Sequence, residues 1–257
     1  MGKIIDLQNI KYRYPGNDED TLKGLDLSLN KDERIGLIAS NGSGKTTLFR
    51  IIMGLTKPSS GTINIFDKSV KKEKDFIKVR QKIGLLFQDA DDQLFSPTVI
   101  EDVAFGPLNQ GKTKEEALEI ATKTLEFLGI EQFKDRINFK LSGGEKRLVS
   151  LATVLAMKPE AILLDEPTTG LDEKTKDKLI GVLNSLKITS IIISHDAEFI
   201  NKVTDKVYTI RSGKVLTDKD IYIHTHVHAH PHDRDHKHEH TMGKANGHGH
   251  PHGREEI

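Results

Sequence analysis

The sequence has 257 residues, enough to bury the core of one large α/β domain or two small ones. Lys plus Arg (38) balance Asp plus Glu (38), which excludes an overall basic field for binding nucleic acid or an anionic membrane. The lack of cysteine excludes disulfides, thiolate metal sites and cysteine nucleophiles, and is compatible with a reducing cytoplasm. No apolar stretch reaches the roughly 18 to 20 residues of a membrane span, and MGKIIDLQNI has no signal-peptide core. We therefore expect a soluble chain that reaches a membrane only through partners.

Histidine is concentrated near the C-terminal end. Eleven of the 12 histidines lie between His224 and His252. We therefore predict a globular domain over residues 1–222 and a histidine-rich tail over 223–257. Because the tail has almost no apolar residues, we expect it to have no fixed structure without a ligand.

In chain order, the globular part alternates short apolar runs with helical stretches, which is typical of an α/β fold with a largely parallel central sheet. Segments of alternating polarity predict an antiparallel sheet beside it: 3–9, 24–29 and 62–66. Continuous apolar runs predict buried core strands: 34–39, 83–87, 161–164 and 190–193. Helices are predicted at 45–52, after the first core strand, and over about 97–157, most clearly at 113–128.

The strand RIGLIA runs into SNGSGKTT and then into a helix, the setting of a phosphate-binding loop. Backbone N–H groups of such a loop and the positive end of the helix bind phosphate oxygens, Lys45 adds charge, and the Thr46 hydroxyl can ligate Mg²⁺. The usual pattern, G-x-x-x-x-G-K-[ST], has a glycine where this chain has Ala39, and a Cβ there could alter the loop geometry. The predicted nucleotide-binding residues of the loop are Ala39, Ser40, Asn41, Gly42, Ser43, Gly44, Lys45, Thr46 and Thr47.

Two carboxylates, Asp165 and Glu166, follow the apolar run AILL. Parallel strands deliver ligands at their C-terminal edge, where the phosphate loop also lies. Asp165 would then hold Mg²⁺, directly or through water, and Glu166 would polarise the attacking water. A helix cap is the alternative interpretation of an Asp-Glu pair after a strand, and its occurrence with the phosphate loop favours the catalytic one.

The run LSGGE at 141–145 opens the helical stretch KRLVSLATVLAM, with Ser142 as its N-cap. With the phosphate loop and the Asp-Glu strand in this order, the sequence resembles the nucleotide-binding subunits of ATP-binding-cassette (ABC) proteins over about residues 3–216. The resemblance implies a P-loop NTPase core with a mostly parallel sheet, an N-terminal antiparallel β subdomain and a helical signature subdomain. It also implies an ATPase that acts as a pair, in which Ser142, Gly143 and Gly144 contact the γ-phosphate held by the opposite subunit.

Four further positions match the same family. The resemblance implies that Tyr14, in KYRYPG, stacks on adenine, although it could be only a turn residue before a proline. It implies that Gln88 senses Mg²⁺ near the contact with a membrane partner, and that Asp172, in TGLD, links the two active sites. His195 resembles the switch histidine that contacts the γ-phosphate, although a single histidine after a strand is usually structural.

A narrower resemblance follows Gln88, over DADDQLFSPTVIEDVAFGP at 89–107. This segment is similar to the ATPases of energy-coupling-factor systems, which import cobalt, nickel and vitamins. The resemblance implies that the segment contacts a transmembrane coupling protein, at the cytoplasmic face of the cell membrane. It further implies a second ATPase subunit, most simply an identical copy, and a substrate-binding membrane protein. The alternative is an ordinary variable segment before the helical subdomain.

The tail repeats histidine at alternate positions, and imidazole binds Ni²⁺, Co²⁺, Cu²⁺ and Zn²⁺ well. Because the ligands must be neutral, affinity should fall as the pH drops through about 6.5. The alternatives are a purification tag or a solubilising tail, and the tail does not choose among transition metals. The predicted ligands are His224, His226, His228, His230, His232, His236, His238, His240, His248, His250 and His252.

These features together predict the ATP-hydrolysing subunit of a membrane transporter that imports nickel or cobalt, with ATP and Mg²⁺ at the active site. A vitamin importer of the same subgroup is the main alternative, and the tail speaks against it. A soluble ABC ATPase acting on DNA or ribosomes is disfavoured because the basic surface is missing. A non-catalytic metal store would not need the ATPase residues.

Overall fold

The computed structural model of the protein describes residues 2–40 and 42–216. The predictions made for Asn41 and for the histidine-rich tail therefore lie outside the described residues. Within the described part, a four-stranded antiparallel sheet lies beside a six-stranded, mostly parallel sheet with helices. This arrangement confirms the predicted fold class, a P-loop NTPase core with an antiparallel β subdomain and a helical subdomain.

The strands of the described part, in chain order, are β1 (Lys3–Tyr12), β2 (Leu22–Asn30), β3 (Arg34–Ala39), β4 (Ser60–Ile65), β5 (Lys68–Ser69), β6 (Ile83–Leu86), β7 (Ala161–Asp165), β8 (Thr189–Ile193), β9 (Lys206–Arg211) and β10 (Lys214–Leu216). The α-helices are α1 (Lys45–Ile52), α2 (Glu73–Arg80), α3 (Val99–Asn109), α4 (Lys114–Phe127), α5 (Gly143–Ala156), α6 (Glu173–Leu186) and α7 (Ala197–Val203). None of the described helices is both long and apolar enough to cross a bilayer.

The antiparallel sheet has the strand order β2-β1-β4-β5. Its first strand runs three residues beyond the predicted end at Asn9. Register shifts between Leu7 and Lys11 accompany a positive φ of 50° at Asn9, and so the strand continues through an irregularity that ends the simple alternation.

The central sheet has the order β10-β9-β3-β8-β7-β6, and only β10 runs antiparallel to its neighbour. Successive residues of its strands face opposite sides. Ile191 and Ile193 therefore pack in the core shared with α1 and the antiparallel sheet, whereas Ile192 packs in the core shared with α3 to α7. Helices on both faces explain why these strands are continuously apolar.

The helical subdomain consists of α3, α4 and α5, within the predicted limits of about 97–157. Thr113 caps α4 and Ser142 caps α5, each in a capping box whose side-chain oxygen accepts a hydrogen bond from a backbone N–H three residues on. The predicted cap at Ser142 is confirmed. These caps fix where each helix starts, and α5 thereby begins at the LSGGE run.

Candidate active site

The phosphate loop joins β3 to α1 through glycines in the left-handed region. Gly44, with φ 97°, is the N-cap of α1, and Gly42 has φ 77°. A Cβ on Gly44 would lie 2.6 Å from Leu22 Cδ2, so both backbone conformation and space require glycine there. Ala39, where the usual pattern has glycine, differs from Gly42 and Gly44. It is a buried residue of strand β3, and a residue with a Cβ adopts this extended conformation without strain.

Lys45 occupies the first position of α1 with its side chain buried. Its Nζ donates a hydrogen bond to the Ala39 carbonyl oxygen at 2.9 Å and lies 3.5 Å from Glu166 Oε1. Folding thus places one ammonium group between the phosphate loop and the residue after β7. The loop and the Asp-Glu pair meet at one edge of the parallel sheet, as the sequence predicted.

The neighbouring residue, Thr46, contacts the other predicted carboxylate. The Thr46 hydroxyl donates to Asp165 Oδ2 at 2.8 Å. Asp165 is buried, and its Oδ1 has no hydrogen-bond partner among the described residues. Burial raises the pKa of Asp165, although the hydrogen bond from Thr46 works against this shift. A buried carboxylate oxygen without a partner beside a threonine hydroxyl suits a hard cation such as Mg²⁺.

Glu166 and His195 form a second close pair. His195 Nδ1 lies 2.8 Å from Glu166 Oε2, and the His195 backbone N–H also donates to this oxygen at 3.3 Å. The Glu166 side chain is buried, whereas 74% of the His195 side chain is exposed. One carboxylate oxygen of Glu166 thus faces Lys45, and the other faces a histidine that opens to solvent. This arrangement suits proton transfer at the Glu166 carboxylate.

A cleft of about 510 Å³ opens beside these residues. Tyr14 and Gln88 line it together with the phosphate loop and the start of α1. The half-buried Tyr14 ring makes an edge-to-face contact with Tyr12 at 4.9 Å, and its hydroxyl is 2.8 Å from Thr47 Oγ1. The structure therefore brings Tyr14, Gln88, Lys45, Thr46 and Thr47 to one cavity of the size typical of small-molecule sites.

The LSGGE residues lie apart from this cleft. Ser142 and Gly143 are exposed, and in the described part of the chain no hydrogen bond joins Ser142, Gly143 or Gly144 to the phosphate loop. Asp172, also exposed, accepts a hydrogen bond from Thr175 N at 2.7 Å as the N-cap of α6, and this bond lowers its pKa. The single chain thus gathers Tyr14, Gln88 and part of the phosphate loop around one cleft. It leaves Ser142, Gly143 and Asp172 exposed and Gly144 partly exposed.

Residues 22–169, which carry most of this site, match a known protein family. The model of the family described as ABC transporter matches residues 22–169, which include the phosphate loop, LSGGE and the Asp-Glu pair. The chain belongs to the ABC transporter family. The matched range thus contains the phosphate loop, the LSGGE run and the Asp-Glu pair in one cassette.

Curated relatives give the same assignment. An ABC transporter ATP-binding protein of Nitratidesulfovibrio vulgaris is 49% identical over 216 residues, which are 84% of this chain and 79% of that protein. The energy-coupling factor transporter ATP-binding protein EcfA of Methanothermobacter thermautotrophicus is 44% identical over 219 residues, 84% of this chain and 70% of EcfA.

Solved structures share the cassette fold. One is cbiO1 from Clostridium perfringens, described as part of the ABC transporter complex cbiONQ, with a TM-score of 0.75 and 35% identity over 84% of this chain and 88% of that one. Another is a dimeric ATP-binding cassette in a post-hydrolysis state with ADP and Pi, with a TM-score of 0.76 and 28% identity over 82% of this chain and 96% of that one. This ABC chain is therefore an ATPase, and it serves as the ATP-hydrolysing subunit of a transporter.

One residue of the cassette site did not emerge from the sequence analysis. Arg147 lies in the first turns of α5, is 4% exposed, and donates hydrogen bonds to backbone carbonyl oxygens on both sides of Glu166. The signal in the sequence was a charged residue at the start of the otherwise uncharged, mostly apolar run RLVSLATVLAM. A buried arginine in such a run needs polar partners, and here the backbone supplies them.

Proposed function

We propose that this ABC cassette drives uptake of Ni²⁺ or Co²⁺ across the cell membrane. The proposal combines two features: a cassette whose relatives include energy-coupling factor ATPases, and a tail that carries 11 histidines. The observation on which the chemistry rests is the contact of Glu166 with both Lys45 and His195. The metal is the cargo and is chemically distinct from the Mg²⁺ used with ATP.

In the proposed nucleotide site, the phosphates bind to the backbone N–H groups of the loop and to Lys45, and the adenine stacks on Tyr14. Thr46, Asp165 and Gln88 would hold Mg²⁺, and the free Oδ1 of Asp165 fits that assignment. Bound Mg²⁺ neutralises charge on the phosphate oxygens. An ATP γ-phosphate would compete with Glu166 for the Lys45 ammonium, which now lies 3.5 Å from that carboxylate.

Glu166 is the proposed general base in this scheme. Its carboxylate accepts the proton of the attacking water while His195, 2.8 Å away, orients the carboxylate and contacts the γ-phosphate. The burial of Glu166 limits access of bulk water to the reacting proton. In this scheme Lys45 supplies positive charge, Glu166 accepts the proton, and His195 orients the Glu166 carboxylate.

The exposure of Ser142 and Gly143 supports a site completed by a second copy of the chain. Ser142, Gly143 and Gly144 of one subunit would contact the γ-phosphate held at Lys45 of the other, with Asp172 between the two sites. A solved cassette of this fold is described as dimeric with ADP and Pi. ATP would then close the pair, and hydrolysis would let it open.

An apolar surface next to Gln88 supports docking on a transmembrane coupling protein, at the cytoplasmic face of the membrane. Phe95 is 66% exposed and Phe105 is 44% exposed, and their rings meet edge to face at 4.7 Å. They line a groove of about 320 Å³ together with Leu55 and Met157. Exposed aromatic side chains beside a groove are typical of protein contacts. The transporter cbiONQ, of which cbiO1 is described as a part, provides a precedent for such an assembly.

Vitamin import is the second candidate, because the relatives named energy-coupling factor ATPases agree with it equally well. The histidine-rich tail is the feature that favours a metal. The decisive experiment measures labelled Ni²⁺, Co²⁺ and Zn²⁺ accumulated by cells whose own copy is deleted and replaced by the intact protein or by Glu166→Gln. Glu160→Gln, which changes an exposed carboxylate paired with Lys82, is the matched control.

We expect one metal to accumulate with the intact protein and with Glu160→Gln, but not with Glu166→Gln. No difference for any metal would contradict metal uptake and leave vitamin import as the better proposal. Removing residues 224–257 then separates two roles for the tail. If it is a sensor, Ni²⁺ changes ATP hydrolysis only when the tail is present, whereas a metal buffer predicts no such dependence.

A further inference from the structure

Arg147 is a buried cation whose hydrogen bonds all go to the backbone of other segments. Its guanidinium donates to the carbonyl oxygen of Pro167 at 3.3 Å, to that of Asp165 at 2.8 Å, and to those of Glu166 and Phe87. In the described part of the chain no carboxylate lies within ion-pair distance of it.

A buried guanidinium without a carboxylate partner costs folding free energy unless its donors are well used. Three of the four carbonyl acceptors belong to consecutive residues, 165–167, which form the end of β7 and the two positions after it and include the proposed general base. The planar fork of an arginine suits such a cluster of acceptors, whereas lysine presents a single point charge. The position of Arg147 therefore concentrates its polar contacts on the backbone around Glu166.

That backbone has an unusual conformation. Glu166 has φ 49°, in the left-handed region that residues with a Cβ rarely occupy. Its N–H donates to the Ile193 carbonyl oxygen at 2.9 Å, and its carbonyl oxygen accepts from Arg147. The residue is thus held on both sides, by β8 and by α5. Strained conformations persist where the surroundings determine them in this way, and they cluster at functional sites.

We propose that Arg147 is a positioning residue that makes the geometry of Glu166 depend on the position of α5. The helix begins at the cap Ser142, which the proposed second copy contacts through its nucleotide. A displacement of α5 moves the guanidinium and, with it, the carbonyl groups around Glu166. The Glu166 carboxylate is then oriented towards the attacking water only when LSGGE contacts the nucleotide of the second copy. Proton acceptance thereby depends on closure of the two subunits.

The fourth contact of Arg147 extends this link towards Gln88 and the segment proposed to contact the transmembrane coupling protein. Phe87, whose carbonyl oxygen accepts from Arg147, directly precedes Gln88, and its N–H donates to Gln93 Oε1 at 3.1 Å. Gln93 in turn donates to the Ser150 carbonyl oxygen on α5 at 2.8 Å. The backbone before Gln88 and the backbone around Glu166 are therefore both attached to the same helix.

The inference rests on the proposed role of Glu166, and its test separates the two. Arg147→Lys keeps the positive charge but loses the planar set of guanidinium N–H donors, and Arg147→Gln removes both. The matched control is Arg34→Gln. Arg34 is the first residue of β3, at the end of the strand away from the phosphate loop, and it donates to Asn184 and Asp205. Single-turnover hydrolysis with labelled ATP gives the rate, binding of a fluorescent ATP analogue gives Kd, and thermal unfolding reports the folded fraction.

We expect Arg147→Lys and Arg147→Gln to lower the rate about 100-fold while Kd changes less than about twofold, because displacement of a reacting group by about 1 Å has that order of effect. Arg34→Gln should keep the rate. Combined with Glu166→Gln, either Arg147 variant should cause little further loss, because both changes disable the same group.

Three results would overturn the inference: an unchanged rate in the Arg147 variants, a 100-fold loss that persists when Glu166 is already Gln, or failure of both Arg147 variants to fold. The second would show that Arg147 acts independently of Glu166, and the third would assign it a role in overall stability. Unchanged hydrolysis in Glu166→Gln alone would instead contradict the proposed role of Glu166.

Discussion

Thr46 and Asp165, which are 119 positions apart in the sequence, are joined by a hydrogen bond of 2.8 Å between the Thr46 hydroxyl and Asp165 Oδ2. The bond connects the first turn of α1 to the end of β7, and it leaves Asp165 Oδ1 without a partner among the described residues. A buried carboxylate oxygen without a partner lowers stability, so we expect Asp165 to cost folding free energy while no ligand is bound.

Asp165→Asn should stabilise the protein at pH 7 without nucleotide or Mg²⁺, by about 1–3 kcal/mol, since an amide carries no buried charge. Burial raises the pKa of Asp165 above 3.8, so ionisation favours the unfolded state. The loss of stability from ionised Asp165 is absent below the pKa of this group in the unfolded state and complete above its pKa in the folded state. The gain in stability from Asp165→Asn should therefore shrink as the pH falls towards 4.

Thermal unfolding across this pH range measures the effect, with the exposed Asp135→Asn as control. Mg²⁺ with ATP should stabilise the native protein much more than Asp165→Asn. A variant that is less stable than the native protein at pH 7 would contradict this account of Asp165.

Gly44→Ala should destabilise the cassette by about 1–2 kcal/mol, because the left-handed φ of 97° disfavours a Cβ, and steric conflict with Leu22 Cδ2 adds to this cost. ATP affinity should fall as well, since the loop backbone must shift. Gly181→Ala is the matched control. No atom lies within 4 Å of its added Cβ in α6, so that helix should gain about 0.5–1 kcal/mol. Chemical denaturation and ATP titration measure both variants, and equal stability of the two would refute the argument.

Tyr14→Ala should weaken ATP binding about tenfold, whereas Tyr14→Phe should change it little. The phenylalanine keeps the ring for stacking and loses only the hydroxyl contact with Thr47. GTP should be affected to the same extent, because stacking requires only a π face. Titration of both nucleotides measures this. A loss in Tyr14→Phe as large as in Tyr14→Ala would show that the hydroxyl, and not the ring, carries the effect.

A site shared between two copies predicts complementation between inactive variants. Lys45→Ala and Ser142→Arg should each have little ATPase activity, since every homodimer lacks one half of both sites. Mixed dimers contain one intact site, so an equimolar mixture should recover roughly a quarter of the native activity if random pairing and independent sites hold. Steady-state phosphate release measures the recovery. Full activity of Ser142→Arg alone would exclude LSGGE from the site.

Much of the fold could be predicted because its signals are local. The runs at 34–39 and 45–52 match β3 and α1 residue for residue, since a continuous apolar strand, a glycine-rich turn and a helix leave little choice. The predicted strand at 83–87 is one residue too long. Phe87 is apolar, but its N–H and carbonyl groups are bound by the side chains of Gln93 and Arg147 instead of by β7. Those contacts are long-range and leave no periodic signal.

Other elements gave no clear signal for physical reasons. Helix α2 is short and mostly charged, with Phe76 and Val79 as its buried residues. Strands β9 and β10, the last two strands on one side of the sheet, are only partly buried, so they lack the continuous apolar run of the central strands. In the site, the residue types at Lys45, Asp165 and Glu166 were predictable from motifs. The left-handed Glu166 and its carbonyl contacts depend on three separate segments, and no single motif encodes them.

The measurement that tests the account most directly is ATP hydrolysis by purified Glu166→Gln beside native protein and Glu160→Gln. Loss of a general base should lower the rate by about 100- to 10,000-fold. ATP affinity should be retained, because the loop, Lys45 and Tyr14 are unchanged, and Glu160→Gln should behave as native. Hydrolysis by Glu166→Gln within about twofold of the native rate, at equal ATP occupancy, would contradict the claim that Glu166 activates the attacking water.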